Sequence, residues 1–340
     1  MPTWSEISKE LGQVFQERNQ PPFDIVRRKY LTLLSAYTKR NCILYASNWT
    51  QAGLDPNAVS ITDTDMQGLM EVIHGLHGKN LDLILHSPGG SPEAAAAIVY
   101  YLRSKFDDIR IIIPHTAMSA ATMISCSANR IVMGRHSFIG PIDPQFILQT
   151  QFGVMAVPAQ AILDQFQMAR EECRDPQKLG AWLPILSQYG PALIVQSQNA
   201  IALAKKYASD WLAQYMFAGM ADRAEAAATA TRIADDLSNH TRFKSHGHHI
   251  NRDEARALGL IVEDLEADQT FQDLVLSVYH ATTHTFNATA AVKIIENQQG
   301  RAYIQMQQRI PVQVPLQQPM QPPQPPPQPP QPPQTPPPNP

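Results

Sequence analysis

The chain has 340 residues, a formal net charge of −3 at pH 7 and a pI near 6.4. A weakly acidic chain gives no reason to expect nucleic-acid binding, which favours a clustered basic face. Its cysteines, Cys42, Cys126 and Cys173, are odd in number and form no C-x-x-C pair, which argues against a disulfide framework or a cysteine zinc site. Cysteines in this pattern favour a reducing compartment, and we expect a cytoplasmic protein.

The first forty residues are predicted to form a helical arm. Apolar residues recur at helical spacing from Trp4 to Phe15 and from Ile25 to Tyr37, and two prolines at 21–22 separate the runs. We expect region 1–40 to pack on the core or on a partner subunit, with a membrane surface as the weaker alternative. The first twenty residues lack the basic and apolar regions of a signal peptide, so none is expected there, and no stretch reaches the roughly 18 apolar residues of a spanning helix.

From Asn41 the hydrophobic pattern alternates between two kinds of element. Helices are predicted at 63–77, 92–105 and from about 119, and further helices follow from 158 to 234 and at 251–258. Apolar runs predict buried strands at 42–46, 81–86, 109–113, 130–133 and 259–262. Such alternation indicates an α/β fold with a largely parallel sheet. We assign this core to 41–265.

The C-terminal part of the chain divides into two predicted segments. Segment 266–306 is expected to be helical, from Thr270 to about Asn297. Residues 307–340 combine proline with glutamine, a composition that favours polyproline II and cannot form a packed core. We expect a disordered proline-rich tail there, which acts as a stiff spacer or binds a proline-recognising domain.

Two strand–turn–helix segments carry the predicted chemistry. The first, HSPGGS at 86–91, has adjacent glycines that let backbone N–H groups approach a ligand. The second, AMSAAT at 117–122, places Ser119 at a helix start, where free N–H groups and the helix dipole favour a developing negative charge. Acyl transfer needs a hydroxyl nucleophile beside such donors. The two segments together therefore predict a serine hydrolase.

Residue roles follow from this pattern. Ser119 is the predicted nucleophile, and the N–H groups of Gly90 and Ala120 are the predicted oxyanion hole. Gly89 and Ser91, which flank Gly90, are predicted to bind substrate. Each segment alone also has a simpler interpretation, as a tight turn or a helix cap. Their occurrence in consecutive units about thirty residues apart favours the catalytic interpretation, while the P-loop and G-x-S-x-G motifs are absent.

These segments carry a resemblance to a known family. The chain resembles the serine dehydrogenase proteinase family, a relative of the Clp-type proteases and signal peptide peptidase A, in LDLILHSPGGSPEAAAAIVYYLRSKF (81–106), IRIIIPHTAMSAATMISCSANRIVMG (109–134) and HSFIGPIDPQ (136–145). The resemblance implies a Clp/crotonase-like α/β fold of repeated β-β-α units, with helical N-terminal and C-terminal extensions. It also implies a nucleophile at Ser119 and oxyanion donors at Gly90 and Ala120. Ala121 stands where relatives often carry Gly.

The general base is the open part of the prediction. Neither the His of the Clp proteases nor the Lys of signal peptide peptidase A has a counterpart at the matching distance after Ser119. His246, in the SHGHH run, and Lys178 are the leading candidates, because a neighbouring glycine can project a His ring and burial can lower the pKa of a lysine. His115 and His136 are candidates by closeness in sequence.

Several of these residues also have a purely structural interpretation. Lys178 can instead be a solvated residue at a helix start. The clustered histidines can instead form an exposed loop, or a weak metal site without an acidic companion. Asp143, in the GPIDP turn, is interpreted first as a turn-forming residue and second as one that orients a catalytic His. His280 and Lys293 are interpreted as capping or pairing within the terminal helices.

The sequence as a whole predicts an ATP-independent serine peptidase that acts on peptide or protein substrates. It is expected to need no cofactor or metal, and to work as a homo-oligomer in which the N-terminal arm contributes to subunit contacts. One alternative is a crotonase-type acyl thioester enzyme, for which the turn after Gly90 offers only Glu93 as a carboxylate. The other is a non-catalytic scaffold that binds partners through its proline-rich tail.

Overall fold

The structure is a computed structural model, and it describes residues 3–150 and 153–307. A π-helical turn spans Leu212–Met216, and a 3-10 turn spans Leu265–Ala267. The helices are α1 Trp4–Arg18, α2 Phe23–Thr38, α3 Pro56–Val59, α4 Asp65–Ile73, α5 Pro92–Lys105, α6 Ala120–Cys126, α7 Ala159–Glu172, α8 Pro176–Leu186, α9 Leu193–Trp211, α10 Arg223–Leu237, α11 His240–Phe243, α12 Arg252–Leu258 and α13 Gln269–Ala288.

The strands of these residues form a large sheet, a small sheet and a hairpin. They are β1 Asn41–Ser47, β2 Asn80–His86, β3 Asp108–Ile113, β4 Thr116–Ala117, β5 Arg130–Met133, β6 Phe138–Ile139, β7 Gln145–Thr150, β8 Gly153–Pro158, β9 Ile250–Asn251, β10 Val262–Asp264, β11 Ala291–Asn297 and β12 Ala302–Met306. The large sheet has the order β10-β5-β3-β2-β1-β11-β12. Its first five strands run parallel, and β11 and β12 are antiparallel to their neighbours.

Each face of the large sheet packs against its own helices, which is why the parallel strands are near-continuous apolar runs. Leu34 of α2 and Val278 of α13 cover one face, and both side chains are fully buried. Helices α4, α5 and α6 cover the other face, in one buried cluster with α9 and α10. The predicted α/β fold with a mostly parallel sheet is confirmed. Truncating Leu34 to Ala would cost about 2–5 kcal/mol of stability.

The small sheet brings three distant segments of the chain to one edge. β4 pairs parallel with β6, and β6 pairs antiparallel with β9. The chain therefore leaves β4, leaves β6 and enters β9 at the same edge of this sheet. Segments 118–119, 140–143 and 246–249 follow or precede the strands at that edge. The sheet thus places Ser119, Asp143 and the SHGHH run on one side of the molecule.

The N-terminal arm packs within the chain. Ile7 and Leu11 of α1 and Val26 of α2 meet Ala281 of α13, and all four side chains are buried. Packing of the arm on the chain itself was one of the two outcomes that its apolar pattern allowed. The buried stripe gives no separate reason to assign the arm to subunit contacts, although Phe15 at its end is half exposed.

The predicted C-terminal helix to Asn297 is wrong beyond residue 288. Helix α13 ends at Ala288, and Ala291–Asn297 is strand β11, buried along its whole length beside β1. The run AVKIIEN contains consecutive β-branched residues, which pack well on a pleated surface and poorly in a helix. Sequence reasoning also missed the hairpin of β7 and β8. The predicted proline-rich tail lies outside the described residues, apart from Gln307.

Candidate active site

Ser119 has an unusual backbone conformation. Its φ is 53° and its ψ is −119°, so it lies among the few described non-glycine residues with positive φ. A side-chain-bearing residue adopts such a conformation only when the surrounding structure enforces it, and such residues concentrate at functional sites. The conformation lies in the sharp turn from β4 into α6, and the side chain is half-buried. The turn therefore presents the Ser119 hydroxyl rather than using it as a helix cap, since no cap hydrogen bond forms.

The Pro-Gly-Gly turn is fixed onto the strand that precedes Ser119. The Ser87 N–H donates to the Thr116 carbonyl at 3.1 Å, and the Met118 N–H donates to the Ser87 carbonyl at 2.9 Å. These two hydrogen bonds join the end of β2 to the end of β4. They bring the turn after β2 against the turn that carries Ser119, as the paired segments predicted.

Gly89 makes the closest approach between the two turns. Its φ is +97°, and a Cβ at this position would stand 2.7 Å from the Ser119 Cβ and 2.8 Å from the Ala120 nitrogen. Real Cβ atoms do not tolerate such distances, so only glycine fits here. Gly89 therefore lets the Gly89–Gly90 peptide lie beside Ser119, and its contact with substrate stays a prediction.

Two backbone donors beside Ser119 have no acceptor. Among the described residues, no hydrogen bond uses the N–H of Gly90 or the N–H of Ala120. Gly90 is exposed, whereas Ala120 is buried at the first position of α6. The first N–H groups of a helix have no intrahelical acceptor, so the Ala120 N–H is available to a ligand. The arrangement of the two donors fits the predicted oxyanion hole.

Ser91 has a structural role in this turn. Its side chain caps α5 by accepting from the Ala94 N–H at 3.0 Å, and its hydroxyl donates to Glu93 at 2.9 Å. The Ser91 hydroxyl therefore uses its proton and one of its lone pairs within the chain. This accounts for Ser91 as a helix cap, the simpler interpretation of a serine before a proline.

Asp143 is buried and binds two histidines. Its Oδ1 lies 2.8 Å from His246 Nδ1, and its Oδ2 lies 2.9 Å from His240 Nδ1. The preferred interpretation of Asp143 as a turn-forming residue is wrong, because within the described residues its carboxylate binds these rings and the Gln145 side chain rather than backbone N–H groups. The second interpretation, that Asp143 orients a histidine, fits the geometry. Sequence reasoning missed His240, which α11 brings to the same carboxylate.

The contact with Asp143 fixes which nitrogen of each ring is free. A carboxylate only accepts hydrogen bonds, so the Nδ1 atoms of His240 and His246 carry protons. In a neutral ring the other nitrogen, Nε2, is then an acceptor, which is the state of a general base. Within the described residues no hydrogen bond occupies the Nε2 of either ring. About a quarter of the His246 side chain is exposed.

Two contacts join the Asp143 segment to the Ser119 turn. A Cβ on Gly140 would stand 2.6 Å from the Met118 Cε, so the backbone at 140 lies directly against Met118. The Thr122 hydroxyl donates to the Ala117 carbonyl at 2.8 Å and accepts from the Gly140 N–H at 3.0 Å. Thr122 therefore ties the segment that leads to Asp143 to the segment that carries Ser119.

The remaining candidate bases lie elsewhere. The Lys178 side chain is more than half exposed and faces Glu172, so it lacks the burial on which its candidacy depended. His115 and His136 precede β4 and β6, at the edge of the small sheet opposite to Ser119. The His115 Nδ1 contacts the Tyr279 hydroxyl at 3.1 Å, and burial lowers the pKa of His115. The described contacts bring none of the three to Ser119.

A cavity on another side of the sheet is separate from this site. It has a volume of about 740 Å³ and is lined by Arg40, Arg110 and Arg130 at the amino ends of the parallel strands. Ser119 and the Pro-Gly-Gly turn follow the carboxyl ends of β2 and β4. The described residues contain no group of three or more His, Cys, Asp or Glu side chains arranged to hold a metal ion. No described helix is long and apolar enough to cross a membrane.

Comparison with known proteins agrees with the fold and the turns. The model of the ClpP-like SDH-type serine proteinases matches residues 59–280. The chain is 32% identical over 142 residues to Uncharacterized protein MJ0137 of Methanocaldococcus jannaschii, covering 42% of this chain and 45% of that protein. It is 34% identical over 95 residues to Uncharacterized protein MJ1495 of the same organism, covering 28% of this chain and 30% of that protein. The chain thus spans less than half the length of these curated relatives.

Solved structures give a weaker likeness. Two mutants of the 1510-N membrane-bound stomatin-specific protease are similar, at 17% identity with a TM-score of 0.35 and at 19% identity with a TM-score of 0.37. The first match covers 60% of this chain and 75% of that one, and the second covers 63% and 74%. The family model spans more than half of the chain, including both glycine and serine turns and Asp143. The chain therefore belongs to the family of ClpP-like SDH-type serine proteinases.

Proposed function

We propose that the protein is a serine peptidase whose nucleophile is Ser119. The observation that carries this proposal is the strained backbone of Ser119, held against two backbone N–H groups that no other part of the described chain uses. Strain at a half-buried serine beside such donors fits acyl transfer. Family membership supports the same reaction class, and one similar structure is a protease in complex with a substrate peptide.

The proposed reaction uses three side chains and two backbone donors. Ser119 Oγ attacks the peptide carbonyl carbon while His246 Nε2 takes the hydroxyl proton. The N–H groups of Gly90 and Ala120 bind the oxygen that becomes negative. The C–N bond then breaks, and the proton passes from His246 to the leaving amine. Water repeats the sequence on the acyl-enzyme and releases the carboxylic acid.

Asp143 is proposed to hold His246 in the reactive tautomer. Its carboxylate accepts from His246 Nδ1 at 2.8 Å, which leaves Nε2 free and stabilises the imidazolium that forms during the reaction. We assign the base to His246 rather than His240 because the SHGHH loop leads directly into β9 at the Ser119 edge. His240 is the alternative base on the same carboxylate.

The crotonase-type alternative has less support. A thioester enzyme of that kind usually needs a carboxylate near the oxyanion hole, and Glu93 accepts a hydrogen bond from Ser91 at the start of α5. Its carboxylate is thus part of the helix cap. A non-catalytic scaffold would have no use for the strained backbone of Ser119 or for the unused N–H groups of Gly90 and Ala120.

The oligomeric state, the cellular location and the partners of the protein are also proposed. We propose a homo-oligomer in the cytoplasm, where three free cysteines remain reduced. Exposed apolar side chains on α8 and on the β7–β8 hairpin, including Leu183 and Ile147, are candidate subunit contacts. The proline-rich tail is proposed to bind a proline-recognising domain, and a peptide or protein is the proposed substrate.

Peptide hydrolysis by matched serine variants tests the proposal. Ser119→Ala should abolish turnover of casein or a fluorogenic peptide while it leaves the melting temperature close to that of the wild type. Ser127→Ala is the matched control, because Ser127 lies at the other end of α6 and, among the described residues, its hydroxyl donates only to the Ile124 carbonyl. Equal activity in both variants would show that Ser119 is not the nucleophile.

A further inference from the structure

A fully buried ion pair lies behind the Pro-Gly-Gly turn. Lys293 Nζ of β11 lies 2.6 Å from Asp65 Oδ1 of α4, and neither side chain is exposed to solvent. A buried ion pair loses so much hydration that it often adds nothing to stability over an apolar pair. Its presence here therefore calls for a role other than stability.

Two further bonds of the pair reach one short segment, and a third comes from Tyr45 of β1. Lys293 Nζ also donates to the Ser60 carbonyl at 2.7 Å. Asp65 Oδ2 accepts from the Thr62 N–H at 2.9 Å and from the Tyr45 hydroxyl at 2.7 Å. The ion pair thus binds the backbone immediately before and immediately after Ile61.

Ile61 in turn holds the Pro-Gly-Gly turn. Its N–H donates to the Gly89 carbonyl at 2.7 Å, and its carbonyl accepts from the Ser91 N–H at 3.0 Å. A Cβ on Gly90 would stand 2.3 Å from the Ile61 carbonyl oxygen, so the two backbones are in direct contact. The position of the Gly90 N–H is therefore set by the backbone of Ile61.

We propose that Lys293, Asp65 and Tyr45 form a positioning network that holds the Gly90 N–H in the geometry of the oxyanion hole. The network acts through Ser60–Thr62 and then through Gly89–Ser91, and none of its side chains touches the substrate. Charged groups suit this task because hydrogen bonds from charged groups are shorter and stronger than neutral ones. This inference rests on the proposed function, since it assigns a purpose to the proposed oxyanion donor.

The chain contains a matched control for the test. Arg27 of α2 and Glu296 form a second buried ion pair, and neither of these side chains is exposed. Glu296 lies on β11 three residues after Lys293, so it points to the opposite face of the same strand. Its partners are Arg27 and Arg28, and no bond links this pair to residues 60–62 or to the Pro-Gly-Gly turn.

The experiment compares two double variants at a temperature where circular dichroism shows both to be folded. Lys293→Met with Asp65→Asn removes the network charges, and Arg27→Met with Glu296→Gln removes the control pair. We expect the network variant to lose at least about tenfold in kcat for peptide hydrolysis, with KM within about twofold, because a displaced donor acts on the transition state. The control variant should keep kcat. Tyr45→Phe, which removes one hydrogen bond, should give a smaller fall in kcat and serves if the double variant does not fold.

The outcomes separate this inference from the proposed function. Suppose that the wild-type protein hydrolyses peptide. An unimpaired network variant, or an equal loss of kcat in both double variants, would then overturn the positioning role alone. If only Tyr45→Phe folds, an unchanged kcat in that variant would also overturn it. A wild-type protein without activity would overturn the proposed function and the positioning role with it.

Discussion

The Nδ1 atom of His246 lies 2.8 Å from a carboxylate oxygen of Asp143, although the two residues are 103 positions apart in the chain. The fold creates this contact by placing the start of β9 beside the end of β6. Because Asp143 is buried and also binds His240, one carboxylate fixes two imidazole rings on the side of the molecule that carries Ser119. The first two predictions concern this cluster.

Substitution of His246 tests the identity of the base. His246→Gln should lower kcat by about 10²–10⁴ while leaving KM close to that of the wild type, because a general base contributes that much to proton transfer. His240→Gln removes the other ring from the same carboxylate and is the matched control. Steady-state kinetics on both variants decides between them. A large loss in His240→Gln with full activity in His246→Gln would exchange the two roles, and full activity in both would place the base elsewhere.

Substitution of Asp143 tests the orienting role. Asp143→Asn keeps the size of the side chain but removes its charge, so the imidazolium loses its stabilising partner and the tautomer is no longer fixed. We expect kcat to fall by about 10²–10⁴ with little change in KM. Asp164→Asn, at an exposed position on α7, provides a control. A kcat for Asp143→Asn equal to that of the control would limit Asp143 to a structural role.

The approach of Gly89 to Ser119 makes this glycine sensitive to a single methyl group. Gly89→Ala should lower kcat by at least about 10², because the added Cβ displaces the nucleophile or the Ala120 donor. Gly75→Ala is the control: Gly75 also has positive φ, but nothing lies within 4 Å of its added Cβ. Both variants carry a backbone cost of about 1–2 kcal/mol. Comparable activity in folded samples of the two would remove the close contact from the mechanism.

Buried histidine makes stability depend on pH. Burial, together with the nearby His115, lowers the pKa of His86 to about 3 from an ordinary value of 6.5. Between those values the unfolded chain binds a proton that the folded chain does not, so the free energy of unfolding falls as the pH falls. The slope is up to about 1.4 kcal/mol per pH unit for this residue, and it vanishes above the unfolded pKa.

Urea unfolding at about pH 7.5, 6.5 and 5.5 measures this dependence. His86→Gln should reduce the loss of stability between the two lower values, whereas substitution of the exposed His77 by Gln should leave it unchanged. The same loss in all three proteins would show that His86 does not stay neutral in the fold.

The sequence was sufficient for the parts of the site that depend on local pattern. The apolar runs at 81–86 and 109–113 predicted strands ahead of the two turns, whereas the short strand β4 directly before Ser119 was not predicted. A shared role for the two turns followed from their occurrence in consecutive strand–turn–helix units. The positive φ of Ser119 did not, because serine has no intrinsic preference for that region and the neighbouring turns impose it.

The parts that sequence reasoning missed depend on contacts between distant residues. Asp143 follows a proline–isoleucine pair that is typical of a turn, and its partners lie 97 and 103 residues further along the chain. Lys293 is predicted to lie in a terminal helix, whereas pairing with β1 makes it part of strand β11. A single pattern of apolar residues does not distinguish a helix end from a buried strand of seven residues.

Covalent labelling of Ser119 tests the central claim most directly. The full-length protein is treated with a fluorophosphonate, which phosphonylates activated serines, and the modified peptide is identified by mass spectrometry. We predict one label per chain, on Ser119, with loss of labelling in Ser119→Ala and slower labelling in His246→Gln. A protein that hydrolyses peptide but carries the label on another serine, or carries none, would contradict the account.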